Sequence, residues 1–126
     1  MIVLDTTILI DVLRGDSAAR RVLGALAETP ACSELTRVEV LRGVRPPELI
    51  ATNTLLESLN WLPVTTSVAA RAGDLGASFR KTHGALGVVE LVIAATAIEA
   101  SAKLLTLNVK RFPMFPGLRA PYKMSK

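Results

Sequence analysis

The sequence of 126 residues, half of them hydrophobic, reads as one domain spanning 1–126, long enough for a core and too short for two. Charged residues make up 21%, with 15 Lys and Arg against 11 Asp and Glu and a net charge of +4. The apolar content excludes intrinsic disorder, the single Cys32 excludes a disulfide scaffold, and no run reaches the roughly 20 apolar residues of a bilayer span.

In chain order, Ile2-Val3-Leu4 is a short β-branched run that predicts a buried strand ending at Asp5. Ile8, Leu9, Val12 and Leu13 have helical spacing over Thr6 to Arg14, with a stop at Gly15-Asp16. A second helix is expected from Ser17 to Glu28, closed by Pro30, followed by a strand at Ala31-Cys32-Ser33. Thr36-x-x-Glu39 has the form of a capping box opening a helix that stops at Gly43. Pro46-Pro47 opens another helix to about Leu59, and Trp61 to Val64 predicts a strand. Thr65 or Thr66 caps a helix to Thr82, ended by His83-Gly84. Val88 to Ser101 predicts a strongly apolar helix, Leu104-Leu105-Thr106 a strand, and Asn108 to Phe112 a turn or short helix. Pro113, Pro116 and Pro121 make the remainder irregular, with a last edge strand expected near Leu118-Arg119.

Strands alternating with helices imply an α/β fold, a parallel sheet covered on both faces, with function at the carboxyl edge of the strands. Asp5, Thr36, Glu39 and Asn108 all follow strands, and Glu90 opens the helix before the last one. One tension arises. The helix before Glu90 should end at the far edge, so residues 83–89 must bring the chain back, a reach of at most about 25 Å.

Three of the eleven acids stand out. Asp5 follows an apolar strand and suits an N-cap and a ligand equally. Glu39 is accounted for by the capping box as well as by a site. Glu90 is explained in part by the helix dipole, but not the small residues Ala94-Ala95-Thr96-Ala97, which let that helix pack closely and bring Glu90 near the sheet edge. The other eight, Asp74 the least clear among them, have ordinary surface, cap or turn explanations. If the three converge they repel: two carboxylates 4 Å apart cost roughly 4 kcal/mol at an effective dielectric of 20. Protonation, a basic partner or a metal must offset this. Oxygen ligands suit Mg²⁺ or Mn²⁺, and Cys32 and His83 stand alone, so no zinc set exists. Carboxylate-held Mg²⁺ in a basic protein is what phosphodiester cleavage requires.

The basic residues fall in small clusters at Arg20-Arg21, Arg80-Lys81 and Lys110-Arg111, with a basic end at Lys123 and Lys126, and read as solvated faces. Aromatic residues are too few for a base-stacking platform, so any nucleic acid is recognised through phosphates and shape, with Arg14, Arg42, Lys110 and Arg111 as candidate contacts. The start lacks a positive n-region and carries Asp5, so no secretory leader is expected, and a reducing cytoplasmic setting follows.

Val3-Leu4-Asp5-Thr6-Thr7, Ser33-x-x-Thr36-x-x-Glu39 with Leu41 and Gly43, Ile93-Ala94-Ala95-Thr96-Ala97 and Leu105-Thr106-Leu107-Asn108-Val109-Lys110-Arg111-Phe112-Pro113 resemble, in order and spacing, the PIN-domain ribonucleases. More narrowly they resemble the VapC toxins of type II toxin–antitoxin systems. The resemblance implies a three-layer α/β/α sandwich with a central parallel sheet and an Mg²⁺-dependent endoribonuclease, with Mn²⁺ as a substitute. By position it implies Asp5, Glu39 and Glu90 as the metal-binding and catalytic acids and Asn108 as a weaker fourth ligand, supported by Thr6 and Thr36. Glu90 stands where the family usually has Asp, one C–C bond shorter by about 1.5 Å. The resemblance also implies a homodimer and a VapB-like antitoxin whose C-terminal segment occupies the active-site groove. The contrasting reading is a catalytically weak or inactive binding module on the same fold. A phosphoacceptor receiver lacks its central-strand Asp, and a dinucleotide-binding domain lacks G-x-G-x-x-G after the first strand.

Overall fold

The β-branched start forms an inner strand, β1 (Ile2–Leu4), which pairs in parallel with β2 (Ala31–Ser33) on one side and β4 (Lys103–Leu105) on the other. A third parallel partner, β3 (Asn60–Leu62), extends the sheet beyond β2, giving the order β3-β2-β1-β4. This is a computed structural model that describes residues 1–123; Lys126 of the basic end lies outside them. The register Val3↔Ala31 and Val3↔Leu104 puts these three side chains on one face, while Leu4 and Cys32 point to the other.

Each face is covered by helices. On one, α1 (Thr6–Leu13), α3 (Glu34–Arg42) and α4 (Leu49–Glu57) bury Ile8, Leu9, Val40 and Leu56 against Leu4 and Cys32. On the other, α6 (Val88–Glu99) lays Ile93, Ala94 and Ala97 on Val3, Ala31 and Leu104. The small residues of α6 are fully buried, as its close packing requires. The result is the expected three-layer α/β/α sandwich.

Several boundaries differ from expectation. The second helix, α2 (Ser17–Ala25), stops before Glu28; Asp16 caps its start by accepting the N–H of Ala19 at 2.8 Å. The capping box at Thr36 and Glu39 does not form. Ser33 caps α3 instead, accepting the N–H of Leu35 at 3.1 Å, because it ends β2 directly and the helix begins at once. Thr36 thereby becomes a buried helical residue, and Glu39 lies beyond reach of the helix start. No strand forms at Leu118-Arg119 among the described residues. Prolines remove backbone donors there, and the segment is held by side chains: Phe115 and Leu118 pack on the α6 face, while the Tyr122 hydroxyl donates to Asp11 at 2.8 Å.

The helix before α6, α5 (Thr66–His83), removes the tension over the return to Glu90. It is capped by Thr65, stops at Gly84 with φ +68°, and packs on α6 rather than on the sheet, through Val68, Ala72, Leu91 and Ala95. Ser67 and Arg71 near its start bond Glu99 at the end of α6, and Gly76 lies against Leu91. The two helices are therefore an antiparallel hairpin. The end of α5 already lies beside the start of α6, and the expectation that it ends at the far edge was wrong.

Candidate functional site

Asp5 is where sheet and helix meet. Its N–H continues the ladder to the carbonyl of Leu105 at 2.9 Å, and its carbonyl accepts the N–H of Ile8 at 3.1 Å. Its carboxylate accepts from the Thr6 N–H at 2.8 Å, the Thr7 hydroxyl at 3.0 Å and the Thr106 hydroxyl at 2.7 Å. The cap reading is thus correct as far as it goes. Yet the side chain is buried, 4% exposed, and among the described residues every donor to it is neutral. Burial pushes its carboxyl above the ordinary carboxylate range, the hydroxyl and amide donors oppose this, and the charge of Glu90 adds to the rise. A cap needs no such charge; a cation site does.

Glu90 lies in the first turn of α6, whose N-cap Gly87 has no side chain to offer. Its carboxylate folds back over that glycine: a Cβ there would stand 2.8 Å from Oε2 and 2.9 Å from Oε1, so the absence of a side chain makes this placement possible. Arg111, in the 3-10 turn after β4, pairs with Glu90 Oε1 at 3.1 Å. Glu39 is likewise paired, with Arg42 at 3.2 Å, and lies in the wall of a cleft of about 380 Å³ shared with Ile10, Arg14, Val44 and Pro47.

The polar residues around Asp5 form a connected set. The hydroxyls of Thr6 and Thr36 meet at 3.0 Å, tying the start of α1 to α3, and both residues are buried. Thr106 accepts the N–H of Asn108 at 2.9 Å while donating to Asp5, so Asn108 is brought to the same strand end. Three acids do not close into one compact cluster: among the described residues no group of three or more His, Cys, Asp or Glu is positioned to hold a metal ion. Asp5 and Glu90 lie within electrostatic reach of each other, whereas Glu39 and Glu90 are each turned to an arginine. The donors are all oxygens, and among the described residues the buried carboxylate of Asp5 has no ion-pair partner, which fits a hard divalent cation in chemistry.

Two residues escaped the sequence reading. Thr106 looks like the end of a strand, although a hydroxyl two residues before Asn108 is the usual signature of a side chain bonding its own backbone. Gly87 looks like an ordinary helix start, and its role becomes visible only with the Glu90 side chain in place.

Residues 2–114 match the family model described as PIN domain. Ribonuclease VapC19 of Mycobacterium tuberculosis is 45% identical over 125 residues, covering 97% of this chain and 100% of its own length. Ribonuclease VapC10 of the same organism is 39% identical over 124 residues, covering 97% and 93%. Among solved structures, a toxin-antitoxin complex from Klebsiella pneumoniae contains a chain that matches with a TM-score of 0.86 at 29% identity, over 98% of this chain and 100% of that one. VapBC-1 from nontypeable Haemophilus influenzae matches with a TM-score of 0.72 at 28% identity, over 89% and 90%. With the parallel sheet, the acid at the end of its first strand and a match running through nearly the whole length, the chain belongs to the PIN-domain family.

Proposed function

We propose that this protein is a divalent-cation-dependent endoribonuclease that hydrolyses RNA phosphodiester bonds and acts as the toxin of a toxin–antitoxin pair. The observation that carries the reading is Asp5: a buried carboxylate, hydrogen-bonded among the described residues by neutral groups only, in a chain 45% identical along its length to a protein named as a ribonuclease. Asp5 and Glu90 hold Mg²⁺ or Mn²⁺, with Glu39 as a third ligand or as the group that positions the attacking water, and Asn108 as a weaker neutral ligand. When bound, the cation lowers the pKa of a water and stabilises charge on the reacting phosphate. The protein's own part is orientation. Thr6 N–H, Thr7 and Thr106 fix both carboxylate oxygens of Asp5, and Thr36 holds Thr6 in turn.

The partner in this reading is a VapB-like antitoxin, since the chains matched in solved structures come from toxin-antitoxin complexes. The cleft beside Glu39, walled by Ile10, Leu13, Val40, Val44 and Pro47, suits an apolar segment that ends near a carboxylate. A homodimer and a cytoplasmic setting complete the proposal; no helix among the described residues is long and apolar enough to cross a membrane.

The test is cleavage of RNA by the purified chain in Mg²⁺ or Mn²⁺, with chelator and Asp5→Asn as controls. Cation-dependent cleavage that D5N abolishes is expected; cleavage unaffected by chelator and by D5N would remove the site. One observation favours the alternative, a catalytically silent binding module: Glu39 and Glu90 are both engaged by arginines and no three-ligand set closes. A chain of that kind shows neither cleavage nor a site-specific rise in stability with Mg²⁺.

A further inference from the structure

The two acids that flank Asp5 share an arrangement. Glu39 and Glu90 are each only about one-fifth exposed, at 21% and 22%, and each is bound by an arginine that is largely in water, Arg42 at 73% and Arg111 at 50%. Arg42 ends α3, which follows β2, and Arg111 follows β4, so the pairs approach from the two sides of β1, which carries Asp5. Asp5 itself, the most buried of the three acids, has only neutral donors among the described residues. The guanidiniums thus neutralise the accessible acids and leave the inaccessible one uncompensated.

Ion pairs with one exposed partner are weak. A typical exposed pair resists competition by no more than about a fivefold change in an equilibrium constant. A divalent cation that gained the buried carboxylate of Asp5 along with these two would outcompete arginines held this weakly. Two long side chains then stand free beside the site, with forked donors matched to phosphate oxygens.

We propose that Arg42 and Arg111 are exchangeable counter-ions: they neutralise Glu39 and Glu90 in the cation-free protein and, once a divalent cation takes those carboxylates, bind the phosphates of the nucleic-acid strand. Cation loading and strand binding are thereby linked through the same two side chains. This rests on the metal-dependent reading above, and the experiment separates the two.

Mn²⁺ binding to the intact chain is measured by calorimetry for wild type, Arg42→Gln, Arg111→Gln and Arg71→Gln. Arg71 pairs with Glu99 at the far end of the α5–α6 hairpin and controls for net charge. Arg42→Gln and Arg111→Gln are expected to tighten Mn²⁺ binding by up to about fivefold each, with no change in R71Q. In saturating Mn²⁺, binding of a nuclease-resistant 2′-O-methyl phosphorothioate oligouridylate is followed by fluorescence anisotropy. There R42Q and R111Q should bind more weakly, with the slope of log K on log salt falling by about 0.7 for each lost contact. Unchanged or weaker Mn²⁺ binding in both variants, equal tightening in R71Q, or unaltered strand binding overturns the exchange. If the wild type itself binds no Mn²⁺, the metal-dependent reading fails first.

Discussion

Thr106 donates its hydroxyl to Oδ2 of Asp5 across 2.7 Å, joining the ends of two neighbouring strands that lie 101 residues apart in sequence. The Thr106 hydroxyl oxygen in turn accepts the N–H of Asn108. Thr106→Val removes a donor from a buried carboxylate and leaves a backbone N–H without its acceptor, so a loss of about 1–3 kcal/mol is expected in urea unfolding. Thr106→Ser, which keeps the hydroxyl, should recover most of it. A valine variant as stable as wild type would mean the hydroxyl contributes nothing net.

Gly87 separates folding from the site. An added Cβ meets only the far end of the Glu90 side chain, which is able to move, and the glycine's backbone angles are ordinary extended ones. Gly87→Ala should therefore change stability by less than about 0.5 kcal/mol, yet expel the Glu90 carboxylate from its place over the helix start. The measurement is the rise in Tm with Mn²⁺, which should shrink in G87A. An undiminished rise would show that the folded-back position of Glu90 is not needed.

The α5–α6 hairpin contributes a pH dependence. Glu99 is held below the ordinary carboxylate range by hydrogen bonds from the Ser67 hydroxyl and then from Arg71. A lowered native value means the folded state resists protonation. The contribution is then present above the ordinary glutamate pKa of about 4.3 and disappears as the pH falls through the lowered value. Urea midpoints measured down the acid limb should fall less steeply for Glu99→Gln than for wild type. Parallel curves would show that the bond seen in the structure adds no pH-dependent stability.

Burial pushes the Cys32 thiol up to about 12, and the residue is 0% exposed on the face of β2 that α1, α3 and α4 cover. It should be inert to a thiol-specific disulfide reagent at pH 8 in native protein. Labelling should accelerate with urea in step with unfolding, because opening of the sheet limits access. Rapid labelling without denaturant would contradict the packing of that face.

Much of the layout was readable from local chemistry. The β-branched start, the run ending in Ser33, the Thr65 cap and the Gly84 stop each act within a few residues. Two kinds of information were not local. Periodicity reports that a segment is helical but not which way it runs against its neighbour, so the reversal of α5 onto α6 required the contacts of Ser67, Arg71 and Gly76. At α3 two residues competed for one cap, and Ser33 won because the strand before it ends there, which moved Thr36 into the interior. In the site, Asp5 was marked by a lone acid after an apolar strand. The company it keeps was hidden, since a threonine at a strand end and an arginine on a helix look the same whether or not an acid waits across the fold.

The bond between Asp5 and Thr106 also sets a condition on synthesis. Asp5 and Glu39 are made well before Thr106, Asn108 and Arg111, which follow them by more than half of the sequence. While β4 is absent, β1 lacks one of its two partners and the carboxylate lacks its closest hydroxyl. A protein that acts on RNA in the manner proposed therefore emerges from the ribosome with its first acid exposed but its constellation unassembled, and becomes competent only once β4 and the residues after it have been added.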